Sequence, residues 1–297
     1  MRIAVLGAGA IGGLIAAHLV TSGYDVLVHS RGEHGARMAI EGLEIDGEIN
    51  LSIAAEDWLV TLNEIGISPE LEKSCDMAII TSKAMNTENL ALIARLLCDG
   101  PVLSLQNGLG NLEIISDTLG PQRAFAATTT HGVTKVAPGR LNWAGRGKID
   151  IESTSPFFPI FEKSGLNPSV SNDVSLLLWN KLLINVGINP LAALCGIKNG
   201  ELLDGNLFEE ACAVMLEAAS VARFEGVILD SDEELVETLR QVITHTSENE
   251  CSMLQDIRNG RKTEIEMICG EVVKRGERAG ITCPRNSLLL TQISSLN

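Results

Sequence analysis

Within the apolar run LLLWNKLLINVGINP, residues 176–190, three polar side chains recur at i, i+4 and i+8: Lys181, Asn185 and Asn189. On a helix successive members of that series lie about 40° apart, so the three form one polar stripe on an otherwise apolar cylinder. Burying an amine and two amides beside such a surface costs roughly several kcal/mol unless each meets a partner. The stripe therefore asks either for a ligand or for a second helix that hydrogen-bonds all three groups. Pro190 predicts that the helix ends close to Asn189. A second cluster, CSMLQDIRNGRKTEIE at 251–266, reads as a helix stopped by Asn259-Gly260 and a new one capped by Thr263 and starting at Glu264. Alone, Glu264 is a favourable first-turn carboxylate. It becomes more than that if it faces Lys181.

At the other end of the chain, Gly7-Ala8-Gly9-Ala10-Ile11-Gly12 fits GxGxxG. The first glycine permits the turn, the second lets a pyrophosphate approach the backbone, and the third lets helix and strand pack closely. The helix N-terminus offers unpaired N–H groups and a favourable dipole to the phosphates. A glycine-rich turn kept for packing alone would look the same in isolation. The context favours a dinucleotide, because residues 2–6 read as a buried parallel strand and residues 11–20 carry apolar residues at helical spacing. A strand at residues 24–28 follows. NAD sites place an acid at the end of this strand, on the ribose hydroxyls. Here the chain reads His29-Ser30-Arg31, so no carboxylate adjoins the strand to repel a 2′-phosphate, and Arg31 presents a planar fork of donors to one. NADPH is expected over NADH; without the upstream glycines, a solvated surface residue would be the better reading of Arg31.

These residues need a scaffold, and the alternation of patterns predicts one. Strands at 77–81 and 102–105 alternate with helices at 86–97 and 109–119, as in an α/β, Rossmann-type doubly wound sheet. Two of the strands end in polar turns, Ser82-Lys83 and Gln106-Asn107-Gly108. Ligands of such sheets lie outside the carboxyl ends of the strands, which makes Lys83 and Asn107 candidates for contacting nicotinamide ribose or substrate. Ordinary turn duty explains Asn107 nearly as well. Short β segments between residues 123 and 151 read as an antiparallel extension of the sheet. From residue 172 the pattern is helical almost to the end. The expected domains are 1–171, binding NADP(H), and 172–297, a helical domain for substrate and catalysis.

Composition bounds the partners. The chain of 297 residues is 45% hydrophobic, enough for two domains, and its formal charge of −15 argues against nucleic acid or an anionic membrane surface. The opening apolar run ends at Leu6, which predicts neither a signal peptide nor a membrane span. Seven widely spaced cysteines without a CxxC pair read as reduced thiols, not as a disulfide framework or a metal site, and a cytoplasmic protein is expected. A homodimer is left open.

The set GAGAIG, SKA at 82–84, QNGLGN at 106–111, WNKLLINVGINPLAAL at 179–194 and SMLQDIRNGRKTEIE at 252–266 resembles the ketopantoate reductase (2-dehydropantoate 2-reductase) family over nearly the whole chain. The resemblance implies a Rossmann domain joined to an all-helical C-terminal domain like that of 6-phosphogluconate dehydrogenase. It also implies NADPH-dependent reduction of ketopantoate to pantoate, on the route to coenzyme A. Carried over by position, Lys181 is the catalytic lysine and Glu264 its acidic partner. Asn185, Asn189 and Ser252 hold substrate, while Asn107 and Lys83 stand between cofactor and substrate. The stretch at 56–74 departs from the family pattern in being longer than the usual connection between the third and fourth strands. Rival readings are a reductase of another small 2-keto acid, a non-catalytic NADP(H)-sensing module, and an interaction protein whose helical part only dimerises.

Overall fold

A strand buried on both faces starts the fold. In the computed structural model, which describes residues 1–296, Arg2–Leu6 forms β1. Ile3 and Val5 pack to one side of it and Ala4 and Leu6 to the other, all fully buried. A strand covered on both faces belongs in the middle of a parallel sheet, and β1 lies there. The chain continues through α1 (Ala10–Thr21), β2 (Asp25–Ser30), α2 (Gly32–Ile40), β3 (Leu43–Gly47), β4 (Leu51–Ile53), β5 (Leu59–Leu62) and β6 (Met77–Ile80). Next come α3 (Thr87–Leu97), β7 (Val102–Ser104), α4 (Asn111–Leu119), β8 (Ala124–Thr129), β9 (Gly132–Ala137), β10 (Arg140–Gly145), β11 (Ile149–Glu152), α5 (Phe158–Lys163) and β12 (Pro168–Ser171). The main sheet has the order β12-β11-β8-β7-β6-β1-β2-β5. The connection from β1 to β2 runs through α1, and β6 then joins β1 on its other side, which is the doubly wound arrangement.

The expected antiparallel extension divides into two structures. β11 does extend the main sheet, antiparallel to β8. The β9–β10 hairpin instead joins β3 and β4 in a separate four-stranded sheet of order β4-β3-β10-β9. Its partner strand β3 lies nearly a hundred residues earlier, beyond the reach of local pattern. Leu141 and Trp143 of β10 point into the same core as α1, so one small sheet covers one helix.

The chain forms two compact units: Met1–Gln106 with Asn111–Val174, and Asn107–Gly110 with the chain from Ser175 onward. The second is helical: α6 (Val174–Cys195), α7 (Leu207–Phe224), α8 (Asp232–His245), α9 (Ser252–Arg258), α10 (Cys269–Ala279) and α11 (Pro284–Ser294). Its core joins Trp179, Leu182, Leu183 and Val186 of α6 to Ala211, Val214, Met215 and Ala218 of α7 and to Leu239 and Ile243 of α8. Gly187 lets the helices approach, since a Cβ there would sit 3.1 Å from Leu239 methyls and 3.3 Å from the Ala211 carbonyl. By length and composition α6 could cross a membrane, but most of its apolar window is buried inside the protein.

Pro190 does not end α6. The helix runs on to Cys195, which corrects the expected stop near Asn189. A proline inside a helix costs about 3 kcal/mol, through the lost bond to the carbonyl four residues earlier and a ring clash. Continuing the helix buries Leu191, Ala192 and Ala193, and a buried leucine alone returns roughly 2 kcal/mol. The two effects are of similar size, and the core prevails.

Candidate active site

The glycine turn shows which of its residues serves the fold and which faces outward. Gly7 has φ +94°, and a Cβ there would lie 2.4 Å from the Ser82 Cβ. At Gly12 a Cβ would meet Thr81 Oγ1 at 2.3 Å and the Gly7 carbonyl at 2.8 Å. Both are packing glycines, holding the end of β1 and the start of α1 against the turn after β6. Gly9 differs: the nearest atom to a Cβ there is 4.0 Å away, so protein packing does not call for glycine. Gly9 is the N-cap of α1, with no side chain capping the helix and no acid in its first turn. Ala10 and Ile11 start the helix half exposed, while Ala8 is buried beneath. A backbone-lined helix N-terminus kept bare fits a pyrophosphate.

Ser30, at the end of β2, is buried with its Oγ 3.5 Å from the Ala8 carbonyl, while Arg31 is exposed and extended at the N-cap of α2. A carboxylate does reach this corner, contrary to the expectation. Glu64 comes from the turn after β5, which pairs in parallel with β2, and its Oε1 accepts a 2.9 Å hydrogen bond from the Gly32 amide. The Gly32 amide first, then the Glu64 amide, then the positive charge of Arg31 hold this carboxyl below its usual range. Local pattern does not reveal it, because β5 lies in the 56–74 stretch and its pairing with β2 is non-local.

Lys83 precedes a single 3₁₀ turn, Ala84–Asn86, and its carbonyl accepts from Asn86 N and Ser82 Oγ. Gln106 was not singled out from sequence, yet it is buried and joins two strand ends: its Nε2 donates to the Ser82 carbonyl at 3.0 Å and to Thr87 Oγ1 at 2.8 Å. A polar side chain at a strand's carboxyl end flanked by candidates is the signal that could have found it. The next residue, Asn107, belongs to the second unit.

In that unit Asn107 Nδ2 donates to Glu264 Oε2 at 3.2 Å, and Leu109 N donates to the Met267 carbonyl at 3.1 Å. Gly108, with φ +80°, passes so close that a Cβ would lie 2.3 Å from that carbonyl. Glu264 does not start an α-helix capped by Thr263. It is itself the N-cap of a 3₁₀ turn, Ile265–Met267, and α10 begins only at Cys269. The single turn leaves the Glu264 carboxylate half exposed beside Asn107 instead of at the mouth of a long helix.

Lys181, Asn185 and Asn189 all lie on α6; the first two are half buried and Asn189 is 8% exposed. Cys251, the N-cap of α9, ties that helix to the stripe, its Sγ donating to the Asn189 carbonyl at 3.5 Å while accepting from Leu254 N. Ser252, the first residue of α9, is exposed. The structure thus joins Asn107 directly to Glu264, puts the amine and two amides on one helix, and links Ser252's helix to Asn189 through the backbone.

Family models described as "Ketopantoate reductase PanE/ApbA" match residues 3–156 and, for the C-terminal part, 173–297. The chain belongs to the ketopantoate reductase family. A 2-dehydropantoate 2-reductase of Pyrococcus horikoshii is 34% identical over 97% of this chain and 95% of its own. A solved PanE/ApbA family ketopantoate reductase from Ralstonia eutropha superposes with a TM-score of 0.88 at 29% identity, covering 100% of this chain and 98% of that one. A D-mandelate dehydrogenase solved with NADH and anilino(oxo)acetate superposes at 0.91 over 100% of this chain and 98% of that one. At 24% identity it shares the fold. Family membership makes this chain an NADPH-using oxidoreductase with a small-molecule substrate, and the bare glycine turn above fits that cofactor.

Proposed function

We propose that the chain reduces 2-dehydropantoate to pantoate with NADPH. Family membership supports the reaction. The structural observation that carries it is the polar stripe of Lys181, Asn185 and Asn189 on a largely apolar helix that packs in the core, within the same unit as the Asn107–Glu264 pair. Gly7 to Gly12 hold the pyrophosphate, with Ala8, Ala10 and Ile11 shaping the turn, and Ser30 and Arg31 meet the adenosine end. When bound, the nicotinamide supplies the hydride.

Reduction of a keto carbon leaves a developing alkoxide, which needs positive charge and a proton. Lys181 Nζ provides both to the C2 oxygen. Glu264 keeps that lysine charged and aimed, and Asn107 fixes the Glu264 carboxylate. Asn185, Asn189 and Ser252 orient the substrate carboxylate and hydroxyl, and Lys83 offsets the negative charge that substrate and cofactor bring to an acidic protein. A reductase of another small 2-keto acid would use the same groups. A nicotinamide absorbance assay with purified protein, NADPH and a panel of 2-keto acids separates the two readings. Turnover fastest with ketopantoate supports the first, preference for a different acid moves the assignment to that acid, and no turnover at all favours a nucleotide sensor.

The seven cysteines are free, which supports a reducing, cytoplasmic setting. The substrate is a small acid, and neither nucleic acid nor a membrane is a partner of this reading.

A further inference from the structure

The geometry points to Glu64 as the residue that limits how strongly this enzyme prefers NADPH over NADH. The inference rests on the reading that the first unit binds a nicotinamide dinucleotide. With the pyrophosphate on the glycine turn, the adenosine ribose lies over the end of β2, which brings a 2′-phosphate to Arg31 and to the N-terminus of α2. That position already holds an anion. No side chain of α2's own N-cap bonds its first turn; the Gly32 amide donates to Glu64 Oε1 instead. Glu64 is delivered there by strand pairing, since Ser30 of β2 stands in register with Leu62 of β5 and Asn63 N donates to the Ser30 carbonyl. The Gly32 amide therefore already holds one acceptor where the cofactor would bring a second, and the positive charge of Arg31 stands beside both. Two anions at one amide repel across a few ångströms, so NADPH has to displace the exposed Glu64 side chain. NADH need not: the same carboxylate can accept the ribose 2′-hydroxyl, the role an acid directly after β2 plays in NAD sites. Arg31 draws the site toward NADPH and Glu64 draws it back.

Calorimetric titration of the purified protein with NADPH and NADH, without substrate, reads this directly. Glu64→Gln keeps the size of the side chain and removes its charge. It should tighten NADPH about tenfold and leave NADH unchanged or weaker, an effect that fades at high salt; Glu64→Ala should move the ratio of dissociation constants the same way. In an Arg31→Ala background a gain should persist, because the repulsion and the competition for the Gly32 amide do not need the guanidinium. If both Glu64 variants bind the two cofactors in the wild-type ratio, Glu64 is only a cap for α2 and the inference fails alone. Wild-type protein that binds neither cofactor would overturn the functional reading and this inference together.

Discussion

Lys181 is asked to do two things in one step, to neutralise a growing negative charge and to give up a proton. Lys181→Ala should lower kcat at least about 10²-fold, the lower range for loss of an acid, with NADPH affinity little changed. Steady-state kinetics beside cofactor titration checks both halves, and near-normal kcat would make the stripe structural. Glu264 acts through the lysine and through Asn107, so its loss should look different. Glu264→Gln keeps a group able to accept from Asn107 Nδ2 but removes the charge that stabilises the ammonium. The fall in kcat should be milder, and the pH profile of kcat should shift to lower pH on its alkaline limb, because a lysine without a carboxylate partner loses its proton more readily. An unmoved profile would place Glu264 outside the reaction.

The three glycines of the first turn serve two elements and one ligand, and substitution separates the roles. Gly9→Ala adds a methyl to open space, so thermal stability should stay within about 0.5 kcal/mol of wild type while both cofactors bind less tightly. Gly12→Ala drives a methyl into Thr81 and the Gly7 carbonyl. It should lower the melting temperature by several degrees, the range expected for overpacking by about 1–3 kcal/mol. Thermal melts with and without NADPH distinguish them, and equal melts for the two variants would contradict the assignment. Elements of this kind were readable in advance because their signals are local: β1, α1 and the glycines between them lie within twenty-one residues. The misread features share a non-local cause. Strand β3 decides where β10 pairs, β5 decides that Glu64 reaches α2, and burial of Leu191 to Ala193 decides that α6 passes Pro190. The Lys181 stripe was visible as a pattern of spacing, whereas the Asn107–Glu264 contact joins residues far apart in the chain and needed the fold.

At the scale of the molecule, titration falls unevenly on the two units. His18, His29, His34 and His131 all lie in the first unit, and burial pushes each below the ordinary imidazole range. For His34 burial is aided by the charge of Lys135, and the pKa falls to about 4. Its Nδ1 accepts from Gly139 N and so fastens the β9–β10 turn to α2. Well above pH 6.5 these histidines are neutral whether folded or not and contribute no pH dependence. Below 6.5 the unfolded chain takes up protons that the folded chain refuses, so stability falls with pH down to the folded pKa values. For His34 alone the loss approaches roughly 2–3 kcal/mol near pH 4. Denaturant unfolding at pH 7.5 and pH 5 should show the first unit weakened at the lower pH, and His34→Asn should flatten that dependence; an unchanged midpoint between the two pH values would refute it. A different consequence follows from the four residues Asn107–Gly110, which leave one unit and pack in the other. Leu109 is 4% exposed within the helical core, so a gene cut near residue 172 yields a C-terminal half that lacks a side chain of its own core. The coding sequence therefore cannot be split cleanly at that point, because one core side chain of the second half is encoded within the first.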